Sequence, residues 1–247
     1  MVILRANTNR KPIAIDLGVE SRRPTRVRIV AFDKHKKGAI YMDREKNLNG
    51  KQDFTISLPQ SPKELTIKVI GDARVYKFKK KKLMQYAPCL KAKVKPFIKF
   101  AKEFTENASI LSVGRYTSDN GKYIIDYLPV IVDNGRVITT PARISNNTGR
   151  MEISKKAFSQ MTIPMRMAII CHEFSHFYMN VVQKDEIEAD LNALKLYLGM
   201  GYPVIESHKA FIETFKKNPT NSNKERYEYL KAFMDRWEKD KYQICMS

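Results

Sequence analysis

The sequence predicts an α+β chain, with a β-rich basic domain at residues 1–85 followed by a mixed domain at residues 86–247. Two observations favour this division. Up to about residue 85, short stretches alternate apolar and polar residues and are separated by turn sequences such as NLNG and PQSP. Beyond Pro88 the apolar residues recur with helical spacing. A length of 247 residues is enough for two modest domains.

The first domain is predicted to be a small β-sandwich or barrel, because several short strands at regular spacing are typical of those folds. The predicted strands are 26–32, 39–43, 53–58, 64–70 and 73–78.

The second domain is predicted to begin with a helix at 91–104, in which Val94, Phe97, Ile98 and Ala101 share one face. Strands follow at 123–132, 136–144 and 149–154, the first two joined by an Asn-Gly turn at 134–135. Because they contain Pro129 and Pro141, the first two strands suit edge positions. Two amphipathic helices are predicted at 203–216 and 223–240.

The most informative stretch is HEFSH, which places His172 and His176 four residues apart with Glu173 between them. On a helix predicted at 164–181, both imidazoles lie on one face and can bind one Zn²⁺, with Glu173 as a candidate general base. The helix is mostly apolar and should be buried, so its polar groups need partners. The alternative is a pair of hydrogen-bonded core histidines.

A third metal ligand is expected in DEIEAD at 185–190, at the start of a second helix running from about Asp185 to Tyr197. Glu186 and Asp190 share one face of that helix, whereas Glu188 points elsewhere. We expect Glu186 to bind the metal and Asp190 to orient a ligand histidine. The alternative is an acidic first turn that is favoured by the helix dipole.

HEFSH followed by EIEAD resembles the gluzincin metallopeptidases, in which a glutamate of an E-x-x-A-D segment completes the H-E-x-x-H site. The pattern is similar to that of soluble relatives of the CAAX prenyl protease group, of which this chain would be a phage-encoded member. The resemblance implies a zincin-like domain, His172, His176 and Glu186 as zinc ligands, and an edge strand that pairs with substrate. Asp190 is the alternative third ligand, because only nine residues separate His176 from Glu186.

The predicted function is zinc-dependent endopeptidase activity on a peptide or protein substrate, with Glu173 deprotonating a metal-activated water. Tyr197, Tyr202 and His208 are candidates to stabilise the oxyanion, and none is preferred. The alternative is a structural component of a large assembly, such as a bacteriophage tail or neck, that contacts other proteins through its basic domain. In that case the second domain has a zincin-like fold whose peptidase activity is latent or absent.

The positive charge is uneven along the chain. The formal net charge is +19, and residues 1–90 contain 21 Lys and Arg against 8 Asp and Glu, a net charge of +13. Together with KFKKKK at 77–82, this excess favours a phosphate backbone or an acidic protein surface as partner. A solvated lysine-rich run is the alternative, and nucleic acid binding stays open.

The three cysteines, Cys89, Cys171 and Cys245, have no metal-like spacing and suggest free thiols in a reducing compartment. The sequence shows no signal-peptide pattern and no apolar run of about 20 residues, so we expect no membrane partner. The expected location is cytoplasmic, either the host cytoplasm or a virion if the chain is phage-encoded.

Overall fold

The computed structural model describes residues 1–86, 89–217 and 220–246, without the side chains of 213–217, 238 and 241–246. The chain divides into two compact units. The first comprises Met1–Met84 with Gly201–Pro203, and the second comprises Gln85–Met200 with Val204–Ser247. Strands dominate the first unit, and strands and helices both occur in the second. The prediction of an α+β chain is therefore confirmed.

The first unit contains the strands β1 (Val2–Asn7), β2 (Ile13–Phe32), β3 (Ile40–Leu58), β4 (Glu64–Ile70) and β5 (Arg74–Lys82). They form one antiparallel five-stranded sheet in the order β1-β4-β2-β3, with β5 also paired to β2. Residues 26–32 and 39–43 were predicted as separate short strands, but they belong to β2 and β3, which have 20 and 19 residues.

The NLNG sequence at 47–50 lies inside β3 and is not the predicted turn between strands. Gly50 pairs with Ser21 where the β2–β3 register shifts, between Ser21 and Thr25. Its φ of 81° lies in the left-handed region, which glycine adopts without steric cost. An irregularity within a long hairpin and a turn between two strands both select glycine and asparagine, so the sequence pattern could not separate them.

In the two strands at the middle of this sheet, large apolar side chains at alternate positions are buried, and some of the residues between them are buried as well. In β2 the residues Ile15, Leu17 and Val19 are almost completely buried, and so are Leu65, Ile67 and Val69 in β4. These side chains form the core of the first unit. Its predicted sandwich or barrel arrangement stays a prediction.

The second unit contains the strands β6 (Gly114–Thr117), β7 (Ile124–Leu128), β8 (Val132–Asp133), β9 (Arg136–Val137), β10 (Ala142–Ile144) and β11 (Met151–Ser154). Four of them form a mixed sheet in the order β10-β11-β7-β6, and within the described residues β8 pairs only with β9. Strands β11 and β7 are parallel, and the other pairs are antiparallel. A 3-10 turn at Ala92–Val94 precedes the helices α1 (Lys95–Asn107), α2 (Lys155–Phe158), α3 (Ile163–Tyr178), α4 (Glu186–Gly199), α5 (Val204–Lys217) and α6 (Asn221–Met246).

The strand predicted at 136–144 is two short strands, β9 and β10, interrupted before Pro141. Pro141 accepts a backbone hydrogen bond from Ser154 of β11, so its missing N–H costs no bond on that side. This places β10 at an edge of the four-stranded sheet.

Cys89 is disulfide-bonded, whereas Cys171 is free and buried. The expectation that every thiol is free is therefore wrong for Cys89, and Cys245 lies outside the described side chains. Sequence spacing cannot show which cysteines approach each other in space. Within the described residues, no helix is long and apolar enough to cross a bilayer.

Arg166 is a fully buried cation in the middle of the second unit. Its Nε donates to Phe158 O at 2.8 Å, its Nη1 to Thr105 O at 2.9 Å and its Nη2 to Ser109 Oγ. Burial lowers the pKa of Arg166 to about 10, so the guanidinium stays charged at neutral pH. One side chain of α3 thus holds the C-terminal end of α2 and the chain around the end of α1.

We predict that Arg166→Met will destabilise the protein by about 3 kcal/mol, because buried carbonyl oxygens lose their donors. Urea unfolding should show a lower midpoint with an unchanged slope. Arg166→Lys, which keeps the charge but lacks the planar fork of donors, should recover only part of the loss. Equal stability of Arg166→Met and the wild type would show that these hydrogen bonds contribute nothing net.

Candidate metal centre

Helix α3 presents HEFSH from a firmly packed position. Thr162 caps its N-terminus by accepting from Met165 N, and Pro164 lies in the first turn. Phe174 stacks on Phe97 of α1 with ring centroids 3.7 Å apart. Nearly every residue of α3 up to His176 is buried, so the backbone that carries the two histidines has little freedom to move.

The side chains of His172, His176 and Glu186 converge. The two Nε2 atoms are 3.1 Å apart, and the Glu186 carboxylate oxygens lie 3.5 Å from His172 Nε2 and 3.6 Å from His176 Nε2. A tetrahedral zinc with bonds of about 2.0–2.1 Å separates its ligands by about 3.3 Å. The three observed separations lie on either side of that value, so the residues fit such an ion.

The outer ring nitrogens of both histidines face acceptors. His176 Nδ1 lies 2.6 Å from Gln183 O, and His172 Nδ1 lies 2.8 Å from Asp190 Oδ1. The second contact is short, but the ring N–H is not aimed along it, so it is an ion-pair contact rather than a linear hydrogen bond. Acceptors at Nδ1 keep the proton there and leave the Nε2 lone pairs directed at the cluster.

Helix α4 brings Glu186 to the cluster at its first residue. Asp185 caps the helix by accepting from Glu188 N. The Glu188 carboxylate points away from the histidines and accepts from the backbone N–H groups of Val181 and Val182. The loop between α3 and α4 is thereby closed, and Gln183 within it can hold His176.

Asp190 is almost completely buried and does not join the three converging atoms. It faces His172 on one side and forms a two-pronged ion pair with Arg226 on the other, at 2.8 and 3.0 Å. Asp190 thus lies behind His172, and its role in orienting that histidine stays a prediction.

Arg226 was missed by the sequence analysis. This residue of α6 contacts Asp190 and also lies 3.0 Å from Glu186 Oε2 through Nη1. The sequence 223–240 reads only as an amphipathic helix, and nothing in its spacing shows that Arg226 faces two acids of α4. The signal was weak because a surface arginine and a buried ion-paired arginine have the same sequence pattern.

The charges around the cluster shift the pKa values of its members. Burial alone lowers the pKa of His172, but the Asp190 charge and the close contacts with Asp190 and Glu186 outweigh it and raise the value to about 10. For His176, burial also lowers the pKa, but the contact with Glu186 outweighs burial, so the pKa of His176 is raised. Burial favours the neutral form of Glu186, yet hydrogen bonds to both histidines and the Arg226 charge hold its pKa well below its usual range.

Glu173 lies in a cleft of about 530 Å³ beside the cluster. Its carboxylate is buried, which raises its pKa, and it accepts a hydrogen bond from the backbone of Ile144 in β10. The cleft therefore has β10 along one wall and α3 along another. Its lining residues are Thr140, Pro141, Ala142, Arg143, Ile144, Asn146, Ile169, His172, Glu173, His176, Gln183, Lys184, Glu186, Phe211 and Arg226.

None of the three oxyanion candidates lines this cleft. Tyr197 is fully buried, the His208 ring packs against Tyr227, and the Tyr202 hydroxyl donates to Gln60 in the first unit. Arg226 is the cationic donor that the cleft offers near the cluster. No protein-family model, curated protein or solved structure matches this chain.

We predict that the purified wild-type protein binds one zinc ion and that His176→Ala does not, because two remaining ligands are too few. Asp190→Asn should bind zinc roughly 10- to 100-fold more weakly, since the residue orients a ligand without touching the metal. Metal content by mass spectrometry and competition with a chelator measure both effects. His208→Ala, which changes a histidine outside the cluster, should bind zinc like the wild type.

Zinc binding should also depend on pH. Because the pKa values of His172 and His176 are raised in the metal-free protein, zinc must compete with protons for these rings. We therefore expect zinc affinity to fall as pH is lowered from about 8 to about 6. Calorimetry in buffers of different ionisation enthalpy should show proton release on binding; an affinity independent of pH would contradict this.

Proposed function

We propose that this chain is a zinc-dependent endopeptidase of the gluzincin type. The observation that carries the proposal is the convergence of His172, His176 and Glu186 beside the buried Glu173 in an open cleft. Two histidines and one carboxylate are a donor set typical of catalytic zinc, which keeps a fourth position for water. In this proposal the second unit is zincin-like and the first is a small β-sandwich or barrel.

Zinc bound here would lower the pKa of a coordinated water and polarise a substrate carbonyl. In this proposal Glu173, which lines the same cleft, would accept the proton from that water and pass it to the leaving amine. Burial raises the pKa of Glu173 toward the pH at which the enzyme would work. A carboxyl group with such a pKa takes up and releases a proton more readily than an exposed glutamate does. The Ile144 N–H holds its carboxylate in place.

The proposed substrate is an extended polypeptide lying along β10. Hydrogen bonds from Ser154 to Pro141 and from Ser145 to Arg150 show that these residues turn their backbone toward β11. Ala142 and Ile144, which alternate with them, turn theirs away from β11, on the side of the cleft. An exposed strand edge of this kind binds an extended chain through its backbone, so main-chain contacts would set the substrate's direction.

Arg226 supports this chemistry in two ways. Its ion pair with Asp190 holds that carboxylate in position behind His172. Its contact with Glu186 offsets part of the negative charge of Glu173, Glu186 and Asp190 within one cleft. Without such a cation, three acids this close would repel one another and favour protonation.

We predict that Glu173→Gln will retain zinc but cleave peptides at least about 100-fold more slowly, because the isosteric amide cannot accept the proton. The readout is turnover of a fluorogenic peptide library or an unfolded protein, with zinc content measured in the same samples. Glu228→Gln, the same change at an exposed glutamate that does not line the cleft, is the matched control and should retain turnover.

The outcomes separate the alternatives. If the wild type holds no zinc, the peptidase proposal is overturned. If it holds zinc and Glu173→Gln behaves identically in every cleavage assay, the site is structural, as the prediction of an assembly component expects.

A further inference from the structure

The first unit carries a cluster of exposed bases at one end of its sheet, where three segments meet. We call Arg10, Lys11, Lys63, Lys79, Lys80 and Lys82 the basic end. The turn after β1 is bound to the segment before β4, since Thr8 N and Asn9 N donate to Lys63 O and Arg10 N donates to Pro62 O. The end of β5 joins them, because Lys82 pairs with Ile13 and Lys80 Nζ donates to Asn7 O.

The basic end has no acidic counterpart. Within the part of the chain that the structure describes, none of its six bases forms an ion pair. The unit's acids are mostly occupied by other bases: Asp16 by Lys81, Glu20 by Arg74, Asp43 by Arg28, Glu45 by Arg26, Asp53 by Lys77 and Glu64 by Lys34. The basic end therefore carries part of the surplus charge of residues 1–90 without compensation by a paired acid among the described residues.

The backbone that presents Arg10 is held in an uncommon conformation. Asn9 and Arg10 have φ values of 51° and 59°, in the left-handed region that residues with a side chain rarely adopt. The hydrogen bonds to Pro62 and Lys63 maintain it, and Ser61 Oγ donates to Lys11 O. Such a conformation persists only when its surroundings impose it, so the bases of this turn are presented on a fixed scaffold.

The chemistry around these bases favours nucleic acid over a membrane. Asn7 and Asn9 are exposed beside them, and their side-chain amides can hydrogen-bond to phosphate and sugar oxygens. Among the described residues, no large apolar side chain of 7–12 or 59–63 is exposed for insertion into a bilayer. Phe78, which is 38% exposed, lies on β5 next to Lys79 and offers a ring on which a base can stack.

We propose that the basic end binds nucleic acid through its phosphate backbone, without preference for base sequence. Lys80 and Lys82 lie on the same face of the strand, about 6.6 Å apart. Their two ammonium groups can therefore contact neighbouring phosphates of one nucleic acid strand. Lysines act as point charges and do not read bases, which leaves the interaction electrostatic. This binding does not depend on the proposed peptidase activity, since the two sites lie in different units.

The test uses the full-length protein and a fluorescein-labelled oligonucleotide of mixed sequence, single-stranded and as a duplex, with anisotropy as the readout. If about six phosphates are contacted, affinity should fall on the order of 10³-fold between about 50 and 200 mM salt. The variant Arg10→Asn/Lys63→Gln/Lys80→Gln/Lys82→Gln removes four charges, and Asn tolerates the left-handed backbone at position 10. It should bind at least about 30-fold more weakly at about 100 mM salt and show a shallower salt dependence.

The matched control Arg22→Gln/Arg23→Gln/Lys46→Gln/Lys51→Gln removes the same charge near the register shift of β2, about 26 Å along that strand from the basic end. It should bind within about 3-fold of the wild type, since it leaves the proposed contacts intact. Equal weakening of both variants would show that net charge alone binds the oligonucleotide and would overturn the localised site.

Two further results would overturn the proposal. One is no binding of either oligonucleotide at about 50 mM salt, where phosphate contacts are strongest. The other is binding to vesicles containing phosphatidylserine, or equal displacement of the oligonucleotide by poly-aspartate, which would indicate a membrane or an acidic protein instead. Circular dichroism and urea unfolding of both variants show that any loss of binding occurs in a folded protein.

Discussion

The candidate site depends on the interactions of the buried Asp190 carboxylate with His172 and Arg226. This carboxylate connects three helices, because it faces His172 of α3, belongs to α4 and receives two bonds from Arg226 of α6. A carboxylate so deeply buried is stable only with charged or hydrogen-bonding partners on both sides. The contacts that stabilise the buried charge of Asp190 therefore also fix the positions of His172 and, through Arg226, of Glu186.

The surrounding structure supports this arrangement by removing alternatives. Helix α3 is locked by packing and by the buried Arg166, whose donors hold the chain around α1 and α2. The loop between α3 and α4 is closed by Glu188, so Gln183 can hold the second histidine. The Arg166 contacts to Phe158 and Thr105 are buried, where an unsatisfied partner would cost several kcal/mol, whereas those of Glu188 are exposed. The backbone that carries the two histidines is therefore held from its buried side.

The two units carry different physical signatures. In the second, acids and bases are paired around a cleft, and the charges are local and mutually compensating. In the first, most acids are paired with bases on the sheet, and part of the surplus of lysine and arginine lies at the basic end. An enzyme cleft and a polyanion-binding surface would serve different partners, so the chain can deliver a peptidase to a nucleic-acid-containing environment if both proposals hold.

The sequence by itself determined the α+β composition, the helical placement of HEFSH and the expectation that Glu186 and Asp190 share a face. These follow from local periodicity, because residues four apart on a helix are neighbours whatever the fold. It could not determine that β2 and β3 are single long strands, that Cys89 is disulfide-bonded or that Arg226 meets Asp190. Those features join residues distant in sequence, 36 positions apart for Arg226 and Asp190. Only the tertiary structure decides them, because which surfaces meet depends on how the whole chain packs.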